Sequence, residues 1–332
     1  MKIQIYPPLA IHQIGRRFTQ EDALTQWDHR LFVLCDGIGG HDKGEVASQT
    51  VSQALEQWFQ ANIDPETPFT DQQLKEALAY AYEALDHYKE DTPKQMCTTL
   101  TLLYIGTNGV TAAHIGDSRI YHIRPDAGVL YQSRDHSVVF DLLQAGKITL
   151  KEMATHPQQN IVTRAMTPGA DKRSQPDIIH ITDVQAGDYF FLCSDGMLEQ
   201  MDNDELVSLL TYKRSDAEKR EQLMAITSTN TDNHSAWIIH VKEVTKDQAD
   251  DTLINEEPTA PCNALLIIQQ AIALEEARAA ERARQKAEEA EKAKAATPPP
   301  SPVKKKSIYK ALIFLFFAIL IFLLALWMLE QY

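Results

Sequence analysis

Hydrophobic and polar positions along the first two thirds of the chain fall into short runs of two kinds. Leu31–Cys35, Thr99–Ile105, Thr111–Ile115, Arg119–Ile123, Tyr189–Cys193 and Ala236–Val241 are β-branched or aromatic and are closed by Gly or Asp, which predicts strands. Thr111–Ile115 and Arg119–Ile123 flank Gly116-Asp117-Ser118, a spacing that predicts an antiparallel hairpin. Helical periodicity is plainer from Asp71 to Lys89, where Leu74, Leu78, Ala81, Leu85 and Tyr88 share one face. Thr70 with Gln73, Asp202 with Glu205, and Ser215 with Glu218 each match a capping box at a helix start. Long helices that interrupt runs of antiparallel strands favour an α+β fold over a doubly wound parallel sheet.

After residue 242 the pattern changes. Residues 243–262 are polar and acidic and read as a linker; residues 263–296 are rich in Ala, Glu, Arg and Lys and read as a helical stalk. Residues 275–294 carry six acidic and six basic side chains without a heptad of large apolar ones, so a solvated single helix is favoured over a coiled coil. Residues 297–306, TPPPSP followed by Lys304, Lys305 and Lys306, form a stiff spacer. In residues 307–330 the stretch Ala311–Leu329 has no charge, Pro or Gly, and as a helix it spans about 28 Å, close to the thickness of bilayer hydrocarbon. A soluble helix of that composition would need protein on every side. The expectation is a single-pass, tail-anchored protein in contact with membrane lipid, with the lysines and the head, residues 1–242, on the cytosolic side. The N-terminal stretch, with Pro7, Pro8, Arg16 and Arg17, has no apolar core of signal-peptide length.

Composition narrows the chemistry. Hydrophobic residues at 44% and charged residues at 23% are ordinary for a globular chain, and the net charge of −14 argues against nucleic acid as a partner. Acidic side chains can instead hold hard divalent cations. Cys35, Cys97, Cys193 and Cys262 are too scattered for a disulfide framework or a zinc site, which points to a reducing cytosol. No cysteine is followed six positions later by Arg, so the loop of a cysteine-nucleophile phosphatase is absent. Gly37-Ile38-Gly39-Gly40 lacks both the dinucleotide and the Walker spacing, and suits close approach of backbone to a metal.

The carboxylates carry the strongest signal. Asp36, Asp117, Asp195 and Asp232 each stand at the mouth of an apolar strand. One such Asp is ordinarily a turn or cap residue, whereas four on neighbouring strands converge and repel unless cations neutralise them. All-oxygen ligation selects Mg²⁺ or Mn²⁺ over zinc, and sites of that kind with paired ions hydrolyse phosphate esters.

RFTQED (17–22), DGIGGHDKGEVAS (36–48), CTTL (97–100), GDSRIY (116–121), RDHS (134–137), HPQQNIVTRAM (156–166), CSDGM (193–197) and DNHS (232–235) follow one another in order. This series resembles the metal-dependent serine/threonine phosphatases of type 2C, bacterial branch, over about residues 10–242. The resemblance implies a four-layer α-β-β-α sandwich of two antiparallel sheets flanked by helices, with a metal centre at one edge. It implies that Asp36 bridges two Mn²⁺ or Mg²⁺ ions with the Gly37 carbonyl on one of them, and that Asp195 and Asp232 complete the other shell. Glu21 and Asp22 match the acidic pair of the first motif, Asp117 matches the residue of a third ion, and Arg17 matches the arginine that grips the phosphoryl group. His41, in the same Gly-rich loop, is a candidate general acid, with a packing role as its alternative. The last motif departs from the pattern, with Thr231 where Pro is common and His234-Ser235 in place of Val-Thr. The expected function is hydrolysis of phosphoserine and phosphothreonine in proteins, opposing a partner kinase. Its rivals are a catalytically silent phosphoprotein-binding module and a small-molecule phosphoesterase on the same fold.

Overall fold

The computed structural model describes residues 1–39, 43–88, 96–246, 263–296, 310 and 312–321. The head opens with strands β1 (Lys2–Ile5), β2 (Leu9–Gln13), β3 (Asp22–Trp27) and β4 (Leu31–Gly39). Helices α1 (Lys43–Asn62) and α2 (Asp71–Asp86) lead to β5 (Met96–Thr98), β6 (Leu100–Gly106), β7 (Gly109–Ile115), β8 (Arg119–Arg124) and β9 (Gly128–Gln132). There follow α3 (Val138–Gln144), α4 (Leu150–Met153), β10 (Asp177–Ile181), β11 (Tyr189–Cys193), α5 (Asn203–Thr211), α6 (Asp216–Ile226), β12 (His234–Thr245) and α7 (Ala264–Ala296).

Alternation along single strands explains the layering. On β4, Leu31, Val33 and Cys35 face α1 and α2, while Phe32 and Leu34 face the opposite sheet. On β11, Phe190 and Leu192 enter that same middle layer, while Tyr189, Phe191 and Cys193 pack against Leu206, Leu210 and Leu223 of α5 and α6. Both faces of each central strand are therefore buried, which is why these strands read as continuous apolar runs. At about 1.5–3 kcal/mol for each fully buried large side chain, the three apolar layers outweigh any single polar contact in the head. Two antiparallel sheets result, one ordered β1-β12-β11-β8-β9 with β2 also on β12, the other β10-β7-β6-β4-β3 with β5 on β4. Helices cover both outer faces, as the resemblance implied. The buried indole of Trp237 on β12 donates to the Val33 carbonyl on β4 at 3.0 Å, a direct polar tie between the sheets.

The expected hairpin is not there. Thr111–Ile115 lies in β7, paired with β6 and β10, and Arg119–Ile123 lies in β8, paired with β11 and β9 in the other sheet. Gly116-Asp117-Ser118 is thus a crossing between sheets. Gly116 has φ +106°, and a Cβ there would collide with Thr99 at 2.6 Å, so only Gly makes this turn. The three capping boxes at Thr70, Asp202 and Ser215 form as expected, each with its reciprocal pair of hydrogen bonds.

The head also closes later than residue 242. Strand β12 runs to Thr245, and its last residues pair with β1 (Gln4↔Glu243, Ile3↔Val244, Lys2↔Thr245). The compact unit extends to Glu275, so the first turns of the expected stalk belong to the head. There Ala264 and Ile267 are buried against Phe140 of α3 and Met153 of α4. Asn263 Oδ1 accepts from the Leu265 N–H, and a Glu275 carboxylate oxygen accepts from the first N–H of α4, Leu150, at 3.0 Å. A second unit begins at Glu276 and holds the remainder of α7, whose described side chains there are exposed. Most of the expected linker, residues 247–262, and much of 307–330 lie outside the described residues. Among the described residues no helix is long and apolar enough to cross a membrane, and of Ala311–Leu329 only 312–321 are described, as helix.

A chain ended after Val241 loses three of its four pairs with β1 and the burial of Ala264 and Ile267. Its melting temperature is expected to lie about 5 °C or more below that of a chain ended after Glu275. Thermal melts of the two proteins check this, and equal midpoints would return α7 to the stalk.

Candidate metal centre

The strand register builds the centre. Asp22 on β3 stands directly opposite Asp36 on β4, a like-charge pair that a sheet does not place there for stability. The backbone of Asp36 is held from the CTTL segment: its N–H donates to Thr99 Oγ1 at 2.9 Å, and its carbonyl accepts from Thr99 N at 2.8 Å and Thr98 Oγ1 at 2.9 Å. Thr99 Oγ1 also lies 2.7 Å from Ser118 Oγ, which ties the Asp117 crossing to the same point. Beyond Asp36 the chain passes against α1 so tightly that a Cβ on Gly37 would sit 2.1 Å from the Gly44 carbonyl, and one on Gly44 would sit 2.9 Å from the Glu21 carboxyl carbon. This seam brings Glu21 and Gly37 to the cluster.

From the other sheet come Asp195, in the 3-10 turn after β11, and Asp232, just ahead of β12. Ser194 Oγ donates to Asp22 Oδ2 at 2.9 Å and accepts from Ser235 N at 3.0 Å, linking the ends of β3, β11 and β12. The Asn233 side chain accepts from Glu21 N at 2.8 Å. Thr231 suits its place: its N–H, which Pro lacks, and its hydroxyl both donate to Glu199, whose Oε1 also accepts from Asp232 N at 3.0 Å.

Electrostatics confirm the convergence. Burial, then the carboxylates of Asp22, Asp195, Asp117 and Asp232, push the Asp36 carboxyl well above its ordinary range. Asp22 is raised to about 7 by burial against the opposing effect of its serine hydrogen bonds, with Asp195 and Asp232 adding to the rise. Asp117 is raised to about 7 by burial and then by Asp195 and Asp135. Asp195 is raised by burial and then by Asp232, and its carboxyl also hydrogen-bonds Asp36; its side chain reaches the solvent-facing mouth, where water screens part of the effect. Asp22 Oδ1 is buried with no hydrogen-bond partner among the described residues. A buried oxygen without a partner, amid carboxylates that hold one another's protons on, fits a hard divalent cation.

Every expected ligand, Glu21, Asp22, Asp36, Gly37, Asp117, Asp195 and Asp232, thus falls at one edge of the sandwich. Arg17 is at the rim, exposed, and forks onto Asp232 through Nε at 2.8 Å and Nη2 at 2.5 Å; those bonds and then the charge of Asp232 raise its pKa. It therefore meets a carboxylate of the cluster in the position from which the resemblance has it meet a phosphoryl group. His41 lies outside the described residues.

His114, His136 and Asp177 also bring ligand atoms within 4.8 Å of one another. The two rings are stacked at 4.6 Å and 13°. Rings stacked face to face in this way aim their in-plane lone pairs side by side and not at one point. Arg164 Nη1, at 2.9 Å from Asp177 and 3.2 Å from His136 Nε2, is already the cation there. The service of this group is positional: Gly116 N donates to His136 Nδ1 at 3.0 Å and the Gly116 carbonyl accepts from His136 N at 2.9 Å, gripping the residue before Asp117. The RDHS segment showed that His136 is present, but only the fold shows what it holds. Asn233, Ser194 and Glu199 were missed in the same way, since their partners are remote in sequence.

A two-sheet sandwich with a carboxylate cluster at its edge and an arginine fork beside it has the groups that phosphate-ester hydrolysis calls on. Comparison gives the class its family. The Protein phosphatase 2C model matches residues 13–229. PhpP of Streptococcus pneumoniae is 31% identical over 241 residues, covering 69% of this chain and 94% of that protein. The crystal structure of the Mycobacterium tuberculosis serine/threonine phosphatase PstP superposes with a TM-score of 0.64 at 29% identity, covering 72% of this chain and all of that one. The catalytic domain of PstP in complex with two manganese ions superposes with a TM-score of 0.60 at 30% identity, covering 72% of this chain and 99% of that one. The chain belongs to the protein phosphatase 2C family, and with it to the protein serine/threonine phosphatases.

Carboxyls raised by folding bind protons more tightly in the folded than in the unfolded chain. Their contribution to stability is present below the ordinary value of 3.8 and is lost as pH climbs through about 7. His114, lowered to about 4 by burial, and His12, also lowered by burial, slope the other way, but they are two groups against Asp22, Asp36, Asp117 and Asp195. Without divalent ions the melting temperature is therefore expected to fall between about pH 5 and pH 8. Mn²⁺ at about 100 times its dissociation constant is expected to restore about 5–10 °C at the upper pH and less at the lower, because it competes with protons. Melts with and without the ion at both pH values check this; a Mn²⁺ effect independent of pH would contradict it.

Proposed function

We propose that this chain hydrolyses phosphoserine and phosphothreonine in proteins, depends on Mn²⁺ or Mg²⁺, and works at the cytosolic face of a membrane held by residues 311–329. The observation that carries the chemistry is the gathering at one edge of Asp22, Asp36, Asp117 and Asp195, carboxyls from both sheets, each raised first by burial and then by acidic neighbours. Asp36, Asp195 and Asp232, with the Gly37 carbonyl, would hold two ions, and Asp117 a third. When bound, such ions supply a water of lowered pKa and positive charge for the phosphoryl oxygens. The protein's own contribution is position: threonines from CTTL hold Asp36, Ser194 orients Asp22, and Glu199 fixes the Asp232 backbone. Arg17, released from Asp232, offers a planar pair of donors to the phosphoryl group and stabilises charge that grows on its oxygens. The membrane reading is supported by the uncharged length of 311–329 and by Lys304, Lys305 and Lys306 before it. Tethering raises the local concentration of the site near membrane-bound phosphoproteins, among them the kinase that it opposes or that kinase's substrates.

Asp36→Asn is expected to lower Mn²⁺-dependent hydrolysis of p-nitrophenyl phosphate by about three orders of magnitude with a cooperative melt retained. Undiminished turnover would remove Asp36 from the centre. A phosphothreonine peptide is expected to be turned over faster than a phosphotyrosine peptide or a nucleotide, and preference for the nucleotide would favour a small-molecule phosphoesterase. Deletion of residues 307–330 is expected to move the protein from the membrane fraction to the supernatant with activity kept; a protein that stays in the membrane fraction would refute the anchor.

A further inference from the structure

The loop between β2 and β3 holds an aromatic ring in water. Phe18 is fully exposed, at 103%, and Ile14 in the same loop is exposed as well. The loop is tied at its neck and along its length. Asn233 Nδ2 donates to both the Ile14 carbonyl, at 2.8 Å, and the Thr19 carbonyl, at 3.0 Å, closing the loop like a clasp. Arg16 N donates to the Thr231 carbonyl at 3.1 Å, and Arg17 forks onto Asp232. Phe18 therefore projects from a braced segment whose two preceding side chains are cations and whose supports are the neighbours of a metal ligand.

A large apolar ring held against water by a fixed loop loses little conformational freedom when it is covered, so its burial goes almost wholly into affinity. The cover must be anionic overall to suit Arg16 and Arg17, and it must arrive with a phosphoryl group at the metal centre. That combination fits a phosphorylated protein segment. Arg17 and Phe18 are adjacent, with Cα atoms about 3.8 Å apart, and an extended substrate advances about 3.3 Å per residue; with side-chain reach added, a phosphoryl group at Arg17 puts the ring against a side chain within about three residues of the phosphorylated one.

We infer that Phe18 is the docking point for an apolar substrate side chain within about three residues of the phosphoserine or phosphothreonine, with Arg16 favouring an acidic flank. This rests on the proposal that the centre acts on phosphoproteins. It names which of them the site selects.

The test compares the full chain with Phe18→Ala and Phe18→Leu on three substrates with Mn²⁺: p-nitrophenyl phosphate, a phosphothreonine peptide with Leu at two and three residues on either side, and the same peptide with Ser there. The native chain is expected to prefer the Leu peptide by about tenfold in kcat/KM, through KM. Phe18→Ala is expected to lower the ratio of Leu-peptide to p-nitrophenyl phosphate kcat/KM by about tenfold and to erase the preference, with Phe18→Leu keeping most of it. Calorimetric binding of both peptides runs beside the assay, so the preference is read even if turnover fails. Absence of Mn²⁺-dependent turnover on all three would overturn the parent proposal, while the binding preference decides this one. Equal binding of the two peptides by the native chain would overturn it. So would an equal fall on all three substrates in Phe18→Ala, which marks a structural residue. Loss of binding to vesicles containing anionic lipid, with the peptide preference intact, would assign the ring to a membrane surface instead.

Discussion

Repulsion among carboxylates governs this head. The register of β3 on β4 sets Asp22 opposite Asp36, and the ends of β11 and β12 add Asp195 and Asp232, with no lysine or histidine among the described residues of the cluster to offset them. Arg17 stands against it from the rim, and Arg119 acts on Asp117 from the side of Asp135. A fold can hold such a group only because three apolar layers stabilise it elsewhere, and the unfavourable charge is what a bound cation would relieve. Burial first, and then the acidic neighbours, raise Asp22 and Asp117 to about 7 at this edge.

The sandwich is suited to that task. Each sheet brings its carboxylates on strand ends, where backbone is rigid, and the two sheets are joined by Trp237 in the middle and by Ser194 at the edge. The crossing at Gly116 carries Asp117 from one sheet to the other and is gripped by His136, whose own place is set by Asp177 and Arg164. That support reaches the surface: α3 follows directly on the RDHS segment and is covered by Ala264 and Ile267 of α7. The segment that leads toward the proposed anchor is thus packed on the lobe that follows the metal edge, and the catalytic head does not end where its last core strand ends.

Much of this was legible in the residues. The capping boxes needed only local spacing, and each formed as read. The Asp at each strand mouth was visible as a repeated pattern, and the ordered motifs tied the pattern to a family. The hairpin at Gly116 failed because turn chemistry describes the local bend and not the sheet that each flanking strand joins; β7 and β8 are buried on both faces, so alternation could not assign them. Strands β1, β2, β3, β5, β9 and β10 were passed over, several of them being edge strands with weak apolar patterns stabilised by their partners. Composition changes at residue 242, whereas burial continues to the first turns of α7.

By itself the chain's sequence determined the α+β class, the helix starts, the acidic residues at the strand mouths and the apolar length of 311–329, because each depends on spacing within a few residues. Tertiary structure decided which carboxylates face one another, that Asn233, Ser194 and Glu199 hold them, that Phe18 is left in solvent on a braced loop, and that α7 begins inside the head. Those outcomes depend on contacts between residues dozens to hundreds of positions apart, and only sheet register and close packing bring such positions together.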